Sequence, residues 1–198
     1  ALEYEGAVAI GNNLHAYTAF VPQDFAAKVY CPLIRNKYAN LNTGIQAQNV
    51  SGAAQTIKIS YSYRVNGQGA LLSKEVTSPS IQPGGSHTFF TPTDLAANPG
   101  AVGSATVQGM GGGNIAVIVN DETFTLNPNR VTAYPCFPDN AATKTQEVAV
   151  PLFKEFYLGD TSGIQVQNVG NGNATITISY FAANKPEVKF STPATVPA

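Results

Sequence analysis

GIQAQNVSGAAQTIKISY at residues 44–61 returns as GIQVQNVGNGNATITISY at residues 163–180, and the fold is read from this pair. The two stretches lie 119 positions apart and agree at 11 of 18 positions without a gap. Ile57, Ile59, Tyr61 and Tyr63 share one side of an extended chain, and Thr56, Lys58, Ser60 and Ser62 share the other. Period two, with β-branched and aromatic residues on one side, predicts a half-buried antiparallel strand. Residues 175–181 repeat the pattern, and Ile45 and Ala47 alternate with Gln46 and Gln48 in a preceding strand.

The register extends outward. Pro32-Leu33 recurs as Pro151-Leu152 at the same spacing. TSPSIQPG at 77–84 resembles STPATVPA at 191–198, and AYTAF at 16–20 resembles AYPCF at 133–137. The chain therefore reads as the end of a repeat, one whole repeat and the beginning of another. The expected organisation is an N-terminal segment at 1–27, a candidate donor strand, then a complete repeat at 28–138. A linker at 139–148 and the first half of a second repeat at 149–198 follow. Further strands are expected at 71–77, 87–91, 104–108, 114–120 and 131–134. Asn66-Gly67 signals a hairpin, Gly111-Gly112-Gly113 a hairpin turn, and residues 93–98 one helical turn. About seven short strands in roughly 110 residues predict an all-β fold of two immunoglobulin-like β-sandwich domains. The second is expected to be incomplete and completed by strand addition.

Composition narrows the function classes. Charged residues make up 12% of the 198, about half the usual share of roughly 25%. Few charges among many Thr, Ser, Asn, Gln and Gly suit an extracellular β-protein. The net charge of −1 offers no basic stripe for nucleic acid. No apolar run approaches the roughly 20 residues of a membrane helix, so membrane insertion is not expected. The first residue is Ala1, which fits a secreted chain whose signal peptide has been removed.

Few residues point to chemistry. His15 and His87 have no Cys, Asp or Glu at metal-ligand spacing, so no metal or cofactor is expected. Asp121-Glu122 follows an apolar strand and reads as a turn, since calcium needs a loop richer in oxygen ligands. No GxSxG elbow is present, and the glycine run lacks the Lys-Ser/Thr of a phosphate loop, so no enzyme is expected. Asn49-Val50-Ser51 and Asn173-Ala174-Thr175 fit the glycosylation triplet. Cys31 opens the first strand of the complete domain and Cys136 closes its last, with no CxxC motif. First and last strands of such sandwiches can lie side by side, so a Cys31–Cys136 disulfide would staple the domain ends. Two free buried thiols, or a bond to a neighbouring subunit, are the alternatives.

VYCPLIRNKYANLNTGIQAQNV, IQPGGSHTFFTPTD and GAVGSATVQGMGGGNIAVIVNDE together resemble a tandem immunoglobulin-like β-sandwich repeat of secreted bacterial cell-surface proteins. The resemblance covers residues 29–122 and part of 150–198. It implies a surface location and a scaffold role, and it brings no catalytic motif.

An incomplete sandwich exposes unpaired strand edges. If the N-terminal segment of the next subunit adds the missing edge, the contact is head-to-tail strand addition, which builds open filaments. The candidate contact residues are Val8, Ile10, Leu14, Ala16, Tyr17 and Phe20. The function expected is a structural subunit of an extracellular bacterial filament, pilus-like fibre or sheath, with itself as partner. A cell-surface adhesion or carbohydrate-binding module, or an S-layer-type lattice protein, is the alternative. The chain has no Trp for a sugar platform, and Tyr38 and Tyr157 are the Tyr residues placed near loops.

Overall fold

The computed structural model describes residues 2–7, 11–16, 19–123, 131–140, 147–150, 153–154, 156, 161–181 and 188–197. Side chains are described for these except residues 2–7, 11–16, 131 and 188–192. The chain divides into two compact units, Ala1–Ala149 and Val150–Ala198. The regular structure of the second unit, among the described residues, is strand alone, and strands dominate the first, as the alternating pattern predicts.

In the first unit, β1 (Leu2–Ala7) and β2 (Gly11–Ala16) form an antiparallel hairpin that is a sheet of its own. Then follow β3 (Lys28–Tyr38), β4 (Leu41–Asn49), β5 (Ile57–Val65), β6 (Gln68–Thr77) and β7 (Ser86–Phe90). A single helical turn, α1 (Thr91–Asp94), precedes β8 (Ala101–Gly109), β9 (Ile115–Thr123), β10 (Val131–Pro135) and β11 (Phe137–Pro138). The strand order is β10-β9-β4-β3-β8-β5-β6, with β7 on β4 and β11 on β3. β3 and β4 pair only at Asn36–Asn42 and Tyr38–Leu41. From that corner two walls separate, one of β10, β9, β4 and β7, the other of β11, β3, β8, β5 and β6. Ile45, Phe89, Val117 and Val119 of the first wall join Cys31, Ile59, Tyr61 and Val107 of the second in one buried cluster.

The alternation in β5 is realised as read: Ile57, Ile59, Tyr61 and Tyr63 are buried and the residues between them are partly exposed. Asn66 (φ 52°) and Gly67 (φ 70°) take the left-handed conformation at both central positions of the hairpin turn. β6 is the outer strand, so Leu71 and Leu72 of the expected strand are exposed rather than core. Thr91, expected to end β7, opens α1, because Pro92 fits a first helical turn.

One turn is corrected. β8 runs between β3 and β5, whereas β9 runs between β4 and β10. The glycine run 111–113 is therefore not a hairpin; it carries the chain from one wall to the other.

In the second unit, β12 (Ala174–Phe181) pairs antiparallel with β13 (Val188–Val196). Residues 163–169, which repeat β4, lie outside any strand among the described residues.

Candidate assembly surface

The repeat is carried by backbone detail as well as by letters. Lys37 has φ 54° beside a register shift in β3, and Phe156, 119 positions on, has φ 52°. The Arg35 N–H donates to Thr43 Oγ1 (2.8 Å), and the Lys154 N–H donates to Ser162 Oγ (3.0 Å). Asn49 Nδ2 donates to Ala53 O (2.8 Å) and Ile81 O (2.9 Å), while its Oδ1 accepts from the Ser51 N–H (3.0 Å). Asn168 does the same with Gly172 O (2.7 Å), Val196 O (3.1 Å) and the Gly170 N–H (2.9 Å). Ile81 pairs across from Gln55 and Val196 from Ala174, so Val196 takes the place of Ile81. The letter-by-letter match of 77–84 with 191–198 is thus one residue off at that point. β12 and β13 keep one register from Ala174–Val196 to Tyr180–Phe190, whereas Gln55–Ile81 is one residue out of register with Lys58–Thr77.

The two copies differ in what covers them. Ile45 and Ala47 of β4 are fully buried, at 0% exposure, between β7 and β9. Their counterparts Ile164 and Val166 are 36% and 38% exposed. Ile57, Ile59 and Tyr61 are buried where β5 has β8 on one side and β6 on the other. Ile176, Ile178 and Tyr180 of β12 are only half-buried, and among the described residues β12 has one partner strand, β13. Phe153 stacks on Tyr180 at 4.8 Å, where Ile34 and Tyr61 belong to the core of the first unit. Phe153, Ile164, Val166, Ile176, Ile178 and Tyr180 therefore present apolar side chains whose equivalents in the first unit are core.

Cys31 and Cys136 form a disulfide, with Cα atoms 4.7 Å apart. β10 pairs with β9 as far as Pro135–Ile118, and β11 pairs with β3 from Phe137–Tyr30, so the chain changes walls at Cys136. The disulfide pins that crossing to the middle of β3. Tyr134 secures the same seam. Its OH donates to Leu33 O (2.5 Å) and accepts from the Leu33 N–H (3.0 Å). Burial pushes this phenol well above its ordinary pKa.

Asp121 is not in a turn, as its sequence context suggested; it is a buried residue of β9. Its Oδ2 accepts from Arg35 Nη1 at 2.7 Å and its Oδ1 accepts from Thr43 Oγ1. Arg35 lies on one wall and Asp121 and Thr43 on the other, so the group ties the walls at the β3–β4 corner. Burial raises the Asp121 pKa, and the Thr43 hydrogen bond and Arg35 charge pull against that rise without cancelling it. Sequence reading missed this cluster because its members lie up to 86 positions apart.

His87 packs edge-on against Phe89 at 4.8 Å. Among the described residues no three His, Cys, Asp or Glu are grouped as metal ligands. Asn49 is buried with both amide hydrogens donated, so its triplet is not offered to a glycosyl transferase in the folded chain; Asn173 is exposed. Tyr38 is half-buried, and Tyr157 lies outside the described residues. Of the candidate contact residues, Leu14 and Ala16 stand on β2 opposite Tyr4 and Leu2, and Phe20 is half-buried. Val8, Ile10 and Tyr17 lie outside the described residues. No described helix is long and apolar enough to cross a membrane.

No protein-family model matches the chain, and no curated protein matches it. A solved structure, "Crystal Structure of Thermotoga maritima 1070", is similar at 13% identity and a TM-score of 0.44. The match spans 58% of this chain and 95% of that one. A likeness of that size carries no argument about function.

Proposed function

We propose that the chain is a structural subunit of an extracellular bacterial filament, pilus-like fibre or sheath. In this reading the first unit is an immunoglobulin-like β-sandwich, and the second is an incomplete copy of it. The second is completed by β-strand addition from the N-terminal segment of the next subunit. The observation that carries the proposal is the contrast between Ile45 and Ala47, fully buried, and Ile164 and Val166, more than a third exposed in the same motif. An apolar face built to the pattern of a core calls for a cover. Strand addition supplies backbone hydrogen bonds and apolar contacts together. Repeated head-to-tail, such a contact does not close on itself and yields an open polymer. The disulfide suits an oxidising location outside the cytosol.

The test is deletion of residues 1–20. The full chain is expected to form polymers by light scattering and negative-stain microscopy, and the deleted chain is expected to stay dispersed. Polymers of unchanged form from the deleted chain would overturn donor-strand assembly.

A further inference from the structure

The strand-addition reading leaves open how the N-terminal segment seats. We propose, resting on that reading, that it seats on the second unit of another copy in the places that the β9–β10 hairpin and β11 hold in the first unit. Ala19 then lies against Val150, and Glu3 lies at Lys154 and Ser162.

The cysteine positions point to this seating. Cys31 and Val150 are 119 positions apart, the spacing of the repeat. AYPCF at 133–137 corresponds to AYTAF at 16–20, which places Ala19 where Cys136 stands. Both cysteines are thus replaced, and replaced together, by small or branched apolar residues. Cys31 and Cys136 are buried, at 0% and 4% exposure. Val150 is 56% exposed and Ala19 is exposed. Two apolar residues at the paired positions of a buried bridge, each uncovered in its own unit, fit as each other's cover.

Charge points to the same seating independently. In the hairpin of β9 and β10, Ala133 stands opposite Asn120 and Thr132 opposite Asp121. In the hairpin of β1 and β2, Ala16 stands opposite Leu2 and His15 opposite Glu3. Setting Ala16 on Ala133 therefore sets Glu3 on Asp121, an acid on an acid. Asp121 is held by Arg35 and Thr43, and the 119-residue register turns these into Lys154 and Ser162, a cation and a hydroxyl again. The Lys154–Ser162 bond repeats the Arg35–Thr43 bond. The second unit therefore has the basic and hydroxyl parts of the wall-to-wall tie, and β1 of another copy carries the acid at the matching register position.

The experiment uses the full chain. Ala19→Cys and Val150→Cys are introduced together, Cys31 and Cys136 being kept, and equal amounts of isotopically light and heavy protein are mixed before assembly. A ladder on a non-reducing gel, with mixed light–heavy peptides joining positions 19 and 150, is the expected result. Because new cysteines can disturb folding, charge reversal is the second measurement. Glu3→Lys and Lys154→Glu are each expected to weaken association roughly fivefold to tenfold, and the two together to restore it. Polymers that form without a 19–150 bond and ignore the charge reversals would overturn this seating while leaving strand addition intact. Failure of the unmodified chain to associate at any concentration would overturn both. A 19–150 bond confined to single chains would overturn the assignment of the occupant to a second copy.

Discussion

Asp121 and Asn49 show what single side chains do in this protein. Asp121 is buried beside Arg35, and its pKa is raised because burial outweighs the pairing. Between the ordinary aspartate value and the raised one, the folded chain keeps a proton that the unfolded chain has released. The group's contribution to stability is therefore full below the unfolded pKa and falls as pH rises through the folded one. The melting temperature of the native chain minus that of Asp121→Asn should decline from acid toward neutral pH. A difference that grows with pH would mean that the Arg35 pair dominates. Asn49 makes a different kind of contribution, closing the loop after β4 by bonding Ala53 O and Ile81 O. Asn49→Ala removes one of the donors to Ala53 O and to Ile81 O and takes from Gln55 Nε2 and the Ser51 N–H the acceptor they share, and should cost about 1–3 kcal/mol in urea unfolding. Asn168→Ala should cost less, because solvent reaches the partly exposed Asn168 and can replace its bonds.

At the scale of elements, the disulfide holds β3 to the crossing between β10 and β11 across 105 positions. Replacing Cys31 and Cys136 by Ala together should lower stability by up to about 4.7 kcal/mol in the chain-entropy model, measured by denaturant unfolding. A loss near zero would place the stability of the seam in Tyr134 and the strand pairing instead. The elements legible in the sequence were those with a local cause. Alternation over Ile57–Tyr63 gave the buried face of β5, and Asn66-Gly67 gave its turn. What was not legible depended on distant partners. The glycine run 111–113 announces a turn, but only the pairing of β8 with β5 and of β9 with β4 shows that it changes walls. Asp-Glu after an apolar strand resembles a loop until Arg35 and Thr43 are brought beside it. Residues 71–77 read as a strand, but only the pairing of β6 with β5 alone shows that it is an edge strand with Leu71 and Leu72 exposed. GIQ-Q-N is strand at 44–49 because β7 and β9 flank it, whereas at 163–168 the same letters have no flanking strand among the described residues.

At the scale of the molecule, Ile45 and Ala47 of the repeated motif are buried in the first unit, and their counterparts Ile164 and Val166 are exposed in the second. Whether another chain covers these two can be read from backbone hydrogen bonds directly, since strand addition supplies partners to amides that otherwise exchange with solvent. The decisive measurement is amide hydrogen exchange at residues 163–169 and β12 as a function of protein concentration, in the full chain and in the chain lacking residues 1–20. Exchange there should slow steeply as the full chain assembles and stay fast at every concentration in the deleted chain. Exchange that ignores concentration, or protection that persists without residues 1–20, would contradict strand addition by that segment.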